Sequence, residues 1–366
     1  MNLAQLRVHD GRSYRTARFR PDSRRSPADR PHSGNIDMRA LILDTYQNGR
    51  FRDADIQPRS PAHGELQIRV HASGVNPVDV LIRTGQAPFA MPELPAVLGT
   101  DAAGVVTAVG AGVKGFALGD EVYGLAGGVR GLPGSLAEFM TVDAALMAKK
   151  PANLTMREAA ALPLVALTAW EGLVDRAKVQ SGQKVLVQGG SGGVGHVVVQ
   201  LAKAFGAEVY ATAQPQKQDL VRALGATPID YMKTSVEQYV KIFTGGKGFD
   251  IIYDTVGGDT LEASLGAINH YGHITSCAAF ETHNLLISSL RCAVISAVYV
   301  LYPMLSGERR AHHGAILREV TQLVEAGRLR PVLDPRRFTL DTAMDAHDAV
   351  KAGANVKVVI DVAKDA

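Results

Sequence analysis

Two periodicities divide the chain. From residue 38 to 150 the apolar positions fall in short runs broken by turn residues; after Pro151 they lengthen and alternate with helical spacing. In the first part, residues 39–43, 65–75, 104–109, 120–123 and 137–142 read as strands. Turns at Asn48-Gly49, Ser60-Pro61, 110–115 and Gly119-Asp120 separate them. Many short strands between glycine turns predict a small barrel or sandwich. In the second part Thr155, with Glu158 three residues on, caps a short helix through Leu162; Pro163 interrupts it, and 165–177 forms another. A helix over 217–224 stops at Gly225, residues 249–254 form a buried strand, Asp259 caps a helix to Ile268, and 272–276 is the next strand. Strands alternating with helices predict an α/β region with a doubly wound parallel sheet. Amphipathic helices over 310–326 and 341–351 and a strand over 356–362 return the chain to its first part.

The stretch from Lys184 to Lys203 organises the second part. Residues 185–188 are an apolar run suited to a strand buried on both faces. Gly190, Gly192 and Gly195 follow at G-x-G-x-x-G spacing, with Ser191, Gly193 and Val194 between them. From Val194 onward, helical spacing runs through Val198, Leu201, Ala202 and Phe205. The first glycine permits a tight turn, the second lets backbone approach a pyrophosphate, and the third lets helix pack close to strand. Open amides at the helix start then hold phosphate charge. A second strand over 208–213 completes the βαβ context that this spacing requires.

Composition changes the picture in two places. The 366 residues suggest about two domains, and the net charge of +3 is uneven. Residues 1–37 hold eight Arg, no Lys and four Asp, which leaves −1 on the remainder. The basic balance therefore belongs to the first 37 residues, which read as a disordered extension. That extension reads as non-structural sequence ahead of a natural start at Met38, as a transit peptide, or as a nucleic-acid arm. Cys277 and Cys292 imply no disulfide framework and fit a reducing compartment, consistent with a cytoplasmic protein. The longest uncharged apolar run, 292–305, is too short to span a bilayer and contains Pro303, so it reads as buried or subunit-contacting.

Several motifs resemble the medium-chain dehydrogenase/reductase superfamily, within its zinc-free quinone oxidoreductase branch. They are Gly74-Val-Asn-Pro-Val-Asp79, Leu98-Gly-Thr-Asp-Ala-Ala-Gly-Val-Val106, Gly119-Asp-Glu-Val-Tyr123, Leu167-Thr-Ala-Trp170, the glycine loop 189–195, and Phe249 to Gly258. The resemblance covers about residues 38–364. It implies a GroES-like β-barrel domain from residues 38–162 and 299–366, with a Rossmann NADP-binding domain inserted at 163–298. It also implies an active site in the cleft between them and a homodimer, with a strand-like subunit contact at 283–288.

Zinc members carry Cys, a His-Glu pair and further Cys at their metal. Here those places read Asn76-Pro-Val-Asp79 and Gly99-Thr100-Asp101, and two cysteines fifteen positions apart build no site. His312-His313 reads as solvated in a charged helix start. Without a Lewis acid, the remaining chemistry is hydride delivery to an electrophile polarised by its own structure, such as a quinone or an α,β-unsaturated carbonyl. Asn76 is the first catalytic candidate, orienting a substrate carbonyl or the nicotinamide ribose, against a plain turn role before Pro77. Tyr46 is the second, as wall or hydroxyl, against plain packing. Many relatives carry a Tyr after the Arg-x-Gly element; the run 83–90 here lacks one, which counts against an enoyl-thioester reductase.

For the cofactor, the second strand ends Thr212-Ala-Gln-Pro-Gln-Lys217 without a carboxylate for a ribose 2′-hydroxyl. Lys217 is placed to meet a 2′-phosphate, so NADPH is expected, unless Lys217 is merely a solvated lysine. The resemblance adds Thr168, Asn355 and Lys357 as cofactor contacts, with a helix-internal Thr as the alternative for Thr168. The reading is an NADPH-dependent reductase of quinones or activated alkenes, with an enone/enal reductase and a non-catalytic NADPH-binding protein as rivals. The near-neutral body speaks against strong nucleic-acid binding. Variable pocket walls are expected around 86–92 and 295–304.

Overall fold

The computed structural model describes residues 37–354 and 356–363. The expected extension, apart from residue 37, and Asn355 lie outside the described residues. The first lobe holds β1 (Met38–Leu43), β2 (Phe51–Ile56), β3 (Glu65–Val75), β4 (Ala96–Val97), β5 (Asp101–Val109), β6 (Glu121–Leu125), β7 (Phe139–Asp143) and β8 (Met147–Lys149). The second holds β9 (Lys184–Gln188), β10 (Glu208–Thr212), β11 (Thr227–Ile229), β12 (Phe249–Asp254), β13 (Ile268–Ser276) and β14 (Val294–Ala297). The chain then returns through β15 (Phe338–Thr339) and β16 (Val358–Asp361).

Strand β3 is the spine of the first lobe. It pairs antiparallel with β5, β7 and β16, so the C-terminal strand completes the sheet that the N-terminal part begins. β1 joins β2 and β4 in a smaller sheet. β2 is not evident from the sequence because half of Phe-Arg-Asp-Ala-Asp-Ile is charged; it is an edge strand, zipped residue by residue to β1 from Met38↔Ile56 to Leu43↔Phe51.

The second lobe is one parallel sheet in the order β11-β10-β9-β12-β13-β14. The order reverses at β9, and ligands of such sheets sit outside the carboxyl ends of the strands at that reversal. The central strands Val185–Val187 and Ile251–Tyr253 are fully buried, as continuous apolar runs in a two-sided sheet must be. No helix of the described residues is long and apolar enough to cross a membrane.

The junction between the lobes differs from expectation. The helix begins at Pro163 rather than 165, because proline fits the first helical position. It then widens into a π-turn over Glu171–Arg176. Tyr253 of β12 donates its hydroxyl to the Thr168 carbonyl at 2.6 Å, and its ring fills the space above Gly172. Segment 283–288 is not a strand: Asn284 Oδ1 accepts the Leu286 amide and the chain enters a helix, Leu286–Leu290. His313 is not solvated. The helix Arg310–Glu325 packs its first turn on the π-turn, which buries His313 against Glu171 (3.4 Å) and brings His312 to Asp175 (2.7 Å).

Candidate active site

The glycine loop follows from space. A Cβ on Gly190 would lie 2.4 Å from Ala211 Cβ, and one on Gly195 would lie 2.1 Å from the Gly189 carbonyl oxygen. Gly189 sits at φ +75°, in the left-handed region open to glycine. The loop is pinned from β10: Thr212 Oγ1 accepts the Gly189 amide (3.0 Å) and the Thr212 carbonyl accepts the Gly190 amide (3.0 Å). The amides of Ser191, Gly193 and Val194 donate to no protein group among the described residues. They are the free donors that a phosphate group takes up.

His196 sets the first turn of the following helix, Gly195–Ala204. Its ring is fully buried, and burial pushes its pKa down to about 4, so it is neutral. Nε2 accepts the Val332 amide (3.3 Å), which assigns the proton to Nδ1 and directs it to the Gly192 carbonyl (3.1 Å).

A cleft of about 820 Å³ runs from this loop to the first lobe. Ser191, Gly192, Gly193, Val194, Gln214 and Lys217 line one side, and Asn76, Pro77, Val165 and Lys357 the other. A Cβ on Gly193 would stand 3.8 Å from Lys357 Cδ, so the loop and Lys357 face each other. Volume, free amides and glycine cradle together fit a dinucleotide.

On the far wall lies a buried polar cluster. Asn76 and Asp101 are 0% exposed and Lys357 is 3% exposed. Asn76 Nδ2 donates to Asp101 Oδ2 (2.9 Å) and Thr100 Oγ1 (3.2 Å). The Lys357 ammonium donates to Asn76 Oδ1 and stands 3.5 Å from Asp101 Oδ2 and 3.4 Å from the Val75 carbonyl oxygen. Asp101 Oδ1 accepts the Leu164 amide (2.8 Å). Asp79 Oδ2 accepts from the Asn76 backbone N–H (2.8 Å) and the Thr100 hydroxyl (3.1 Å), while Oδ1 is buried without a partner. Burial pushes the Asp79 carboxyl up to about 7, and it raises Asp101 too, against the pull of Lys357.

The structure thus gathers Asn76, Ser191, Gly192, Gly193, Val194, Lys217 and Lys357 on one cleft, while Gly190 and Gly195 pack behind it against Ala211 and Gly189. Two candidates stand apart. The Thr168 hydroxyl donates to the Leu164 carbonyl (2.7 Å) inside its helix, and the Tyr46 hydroxyl donates to the Pro92 carbonyl (2.5 Å). Asp79, Thr100 and Asp101 join the cluster without being site candidates from the sequence; their only signal there is three short polar side chains in otherwise apolar stretches.

A family model described as "Alcohol dehydrogenase GroES-like domain" matches residues 62–152, and one described as "Zinc-binding dehydrogenase" matches 193–301. The 2-methylene-furan-3-one reductase of Solanum lycopersicum is 38% identical over 306 residues, covering 81% of this chain and 71% of the relative. The chain belongs to the medium-chain dehydrogenase/reductase superfamily. Within that superfamily it is similar to the mitochondrial NAD(P)H oxidoreductase RTN4IP1 of Homo sapiens, 33% identical with 94% and 93% of the two chains covered. A solved alcohol dehydrogenase superfamily protein from Novosphingobium aromaticivorans is 48% identical, with a TM-score of 0.87 over 89% of this chain and 100% of its own. Like its superfamily relatives, the chain is an oxidoreductase that uses a nicotinamide cofactor.

The zinc in one family description finds no matching donors. Among the described residues no three His, Cys, Asp or Glu side chains are grouped to hold a metal ion. Burial pushes the Cys277 thiol up to about 12, and Cys292 is exposed. Asn76-Pro-Val-Asp79 and Gly99-Thr100-Asp101 stand where the resemblance would put metal ligands, and the two carboxylates among them accept from Asn76, Thr100 and the Leu164 amide.

Proposed function

We propose that this protein is an NADPH-dependent oxidoreductase that delivers hydride to quinones or other α,β-unsaturated carbonyl compounds without a metal. One observation carries this reading: the cleft wall facing the glycine loop presents Asn76 and Lys357 instead of metal-binding side chains. When bound, the nicotinamide supplies the hydride. The chain's own residues hold the phosphates on the free loop amides, seat the ring end against the Asn76 cluster, and enclose the cleft between two lobes. A substrate that already carries a conjugated acceptor needs no Lewis acid from the protein.

The choice of NADPH rests on Lys217 and Gln214 at the end of β10, where no carboxylate stands. Glu237 also lines the cleft, but its carboxylate accepts the Ser235 hydroxyl at 2.9 Å. Alkene reduction is the second reading, favoured by the activity for which the tomato relative is named. Exposed Leu285, Leu286, Leu290 and Val294 beside the open edge at β14 support a homodimer, and a cytoplasmic site of action is part of the same proposal.

The test is NADPH oxidation with 1,4-benzoquinone, 9,10-phenanthrenequinone, a simple enone and an enal, with NADH in parallel. Turnover of quinones with NADPH preference supports the main reading. Turnover of only the enone or enal moves the assignment to alkene reduction. Binding of NADPH without any turnover would make the protein a non-catalytic binder.

A further inference from the structure

The Asn76 amide is saturated from inside the protein. A primary amide has two N–H donors, and here one goes to Asp101 Oδ2 and the other to Thr100 Oγ1. Its oxygen accepts from the Lys357 ammonium. An amide side chain fits its site in two orientations related by a half-turn, and the neighbours choose between them. An ammonium only donates, so the atom facing Lys357 must be the amide oxygen, which turns the NH2 toward Asp101 and Thr100 and admits a single orientation. The Lys357 stem runs past Gly193, which places this lock at the meeting point of phosphate loop and barrel.

We propose that Lys357 and Asp101 are positioning residues that lock the Asn76 amide, so that toward a ligand Asn76 is an acceptor only. An oxygen with one lone pair left takes a hydrogen bond from a hydroxyl or an N–H of the cofactor. It does not donate to a substrate carbonyl. This rests on the cofactor-binding half of the proposed function and is independent of which substrate is reduced.

Two readouts test it without turnover. In protein labelled with ¹⁵N-asparagine, both Nδ2 protons of Asn76 should exchange slowly with solvent, and Lys357→Met should speed that exchange at least tenfold. By fluorescence titration, Lys357→Met should weaken NADPH binding at least fivefold in the native background but less than twofold in an Asn76→Ala background. Fast exchange in the native protein would overturn the lock. Equal losses in the two backgrounds would overturn it as well, because Lys357 would then act on the cofactor directly. If Lys357→Met alone does not fold, Lys357→Met with Asp101→Asn removes both charges together and carries the same two readouts. Failure of every substrate assay would leave these results standing, so the two claims fail separately.

Discussion

The Tyr253 hydroxyl donates to the Thr168 carbonyl at 2.6 Å, and the same ring would meet a Cβ on Gly172 at 2.5 Å. A core strand of the nucleotide sheet thereby sets the width of the helix that joins the lobes. Gly172→Ala forces the ring or the π-turn to move. It should cost about 1–3 kcal/mol, as overpacking does. Thermal unfolding should show a lower Tm, and an unchanged Tm would mean that the turn yields freely.

Two glycines of the loop, two positions apart, should behave in opposite ways. Gly195→Ala places its methyl 2.1 Å from the Gly189 oxygen and should lower stability by about 1–3 kcal/mol. Gly193→Ala places its methyl in the cleft, with nothing nearer than 3.8 Å. It should leave the Tm within roughly 2 °C while weakening NADPH binding about tenfold, because the methyl occupies ligand space. Calorimetry and titration on the two variants separate the effects.

Lys217→Ala should weaken NADPH binding about 10- to 100-fold, the range of a lost charge-assisted hydrogen bond, and change NADH binding less than about threefold. Equal effects on both cofactors would remove Lys217 from the 2′-phosphate.

Asp79 gives a pH signature. An unfolded Asp titrates near 3.9, whereas burial holds this one at about 7. Between roughly pH 4 and 7 the folded chain keeps a proton that the unfolded chain has lost, so this group's contribution to stability falls as pH rises and is flat above pH 7. Asp79→Asn lacks that loss. Its stability relative to the native chain should climb by about 1.4 kcal/mol per pH unit across the window. Urea melts at pH 4.5, 6 and 7.5 measure it, and a constant difference would place the proton elsewhere.

How much of this was legible in the sequence follows from the range of each interaction. The glycine loop is local: strand, turn and helix lie within twenty residues, and steric demands appear as glycine spacing. The capping box of Thr155 and Glu158 is equally local and forms as expected. The polar cluster is not. Asn76 and Lys357 are 281 positions apart, and only the pairing of β16 with β3 brings them together. Thr168 misleads for a local reason, since a helix-internal Thr has its own carbonyl four residues back to bond. His313 misleads because charged neighbours in sequence say nothing about which helix face is covered.

The contact of His196 with the backbone at Val332 constrains how the molecule moves. Val332 is followed by Leu333, which bridges to Lys357, which holds Asn76. Gln200 adds a second tie, exchanging bonds with both backbone groups of Arg330. A rigid strut therefore joins the phosphate end of the cleft to its reacting end. Separating the lobes at residues 330–333 would have to break these bonds, so this side of the cleft is its clasp.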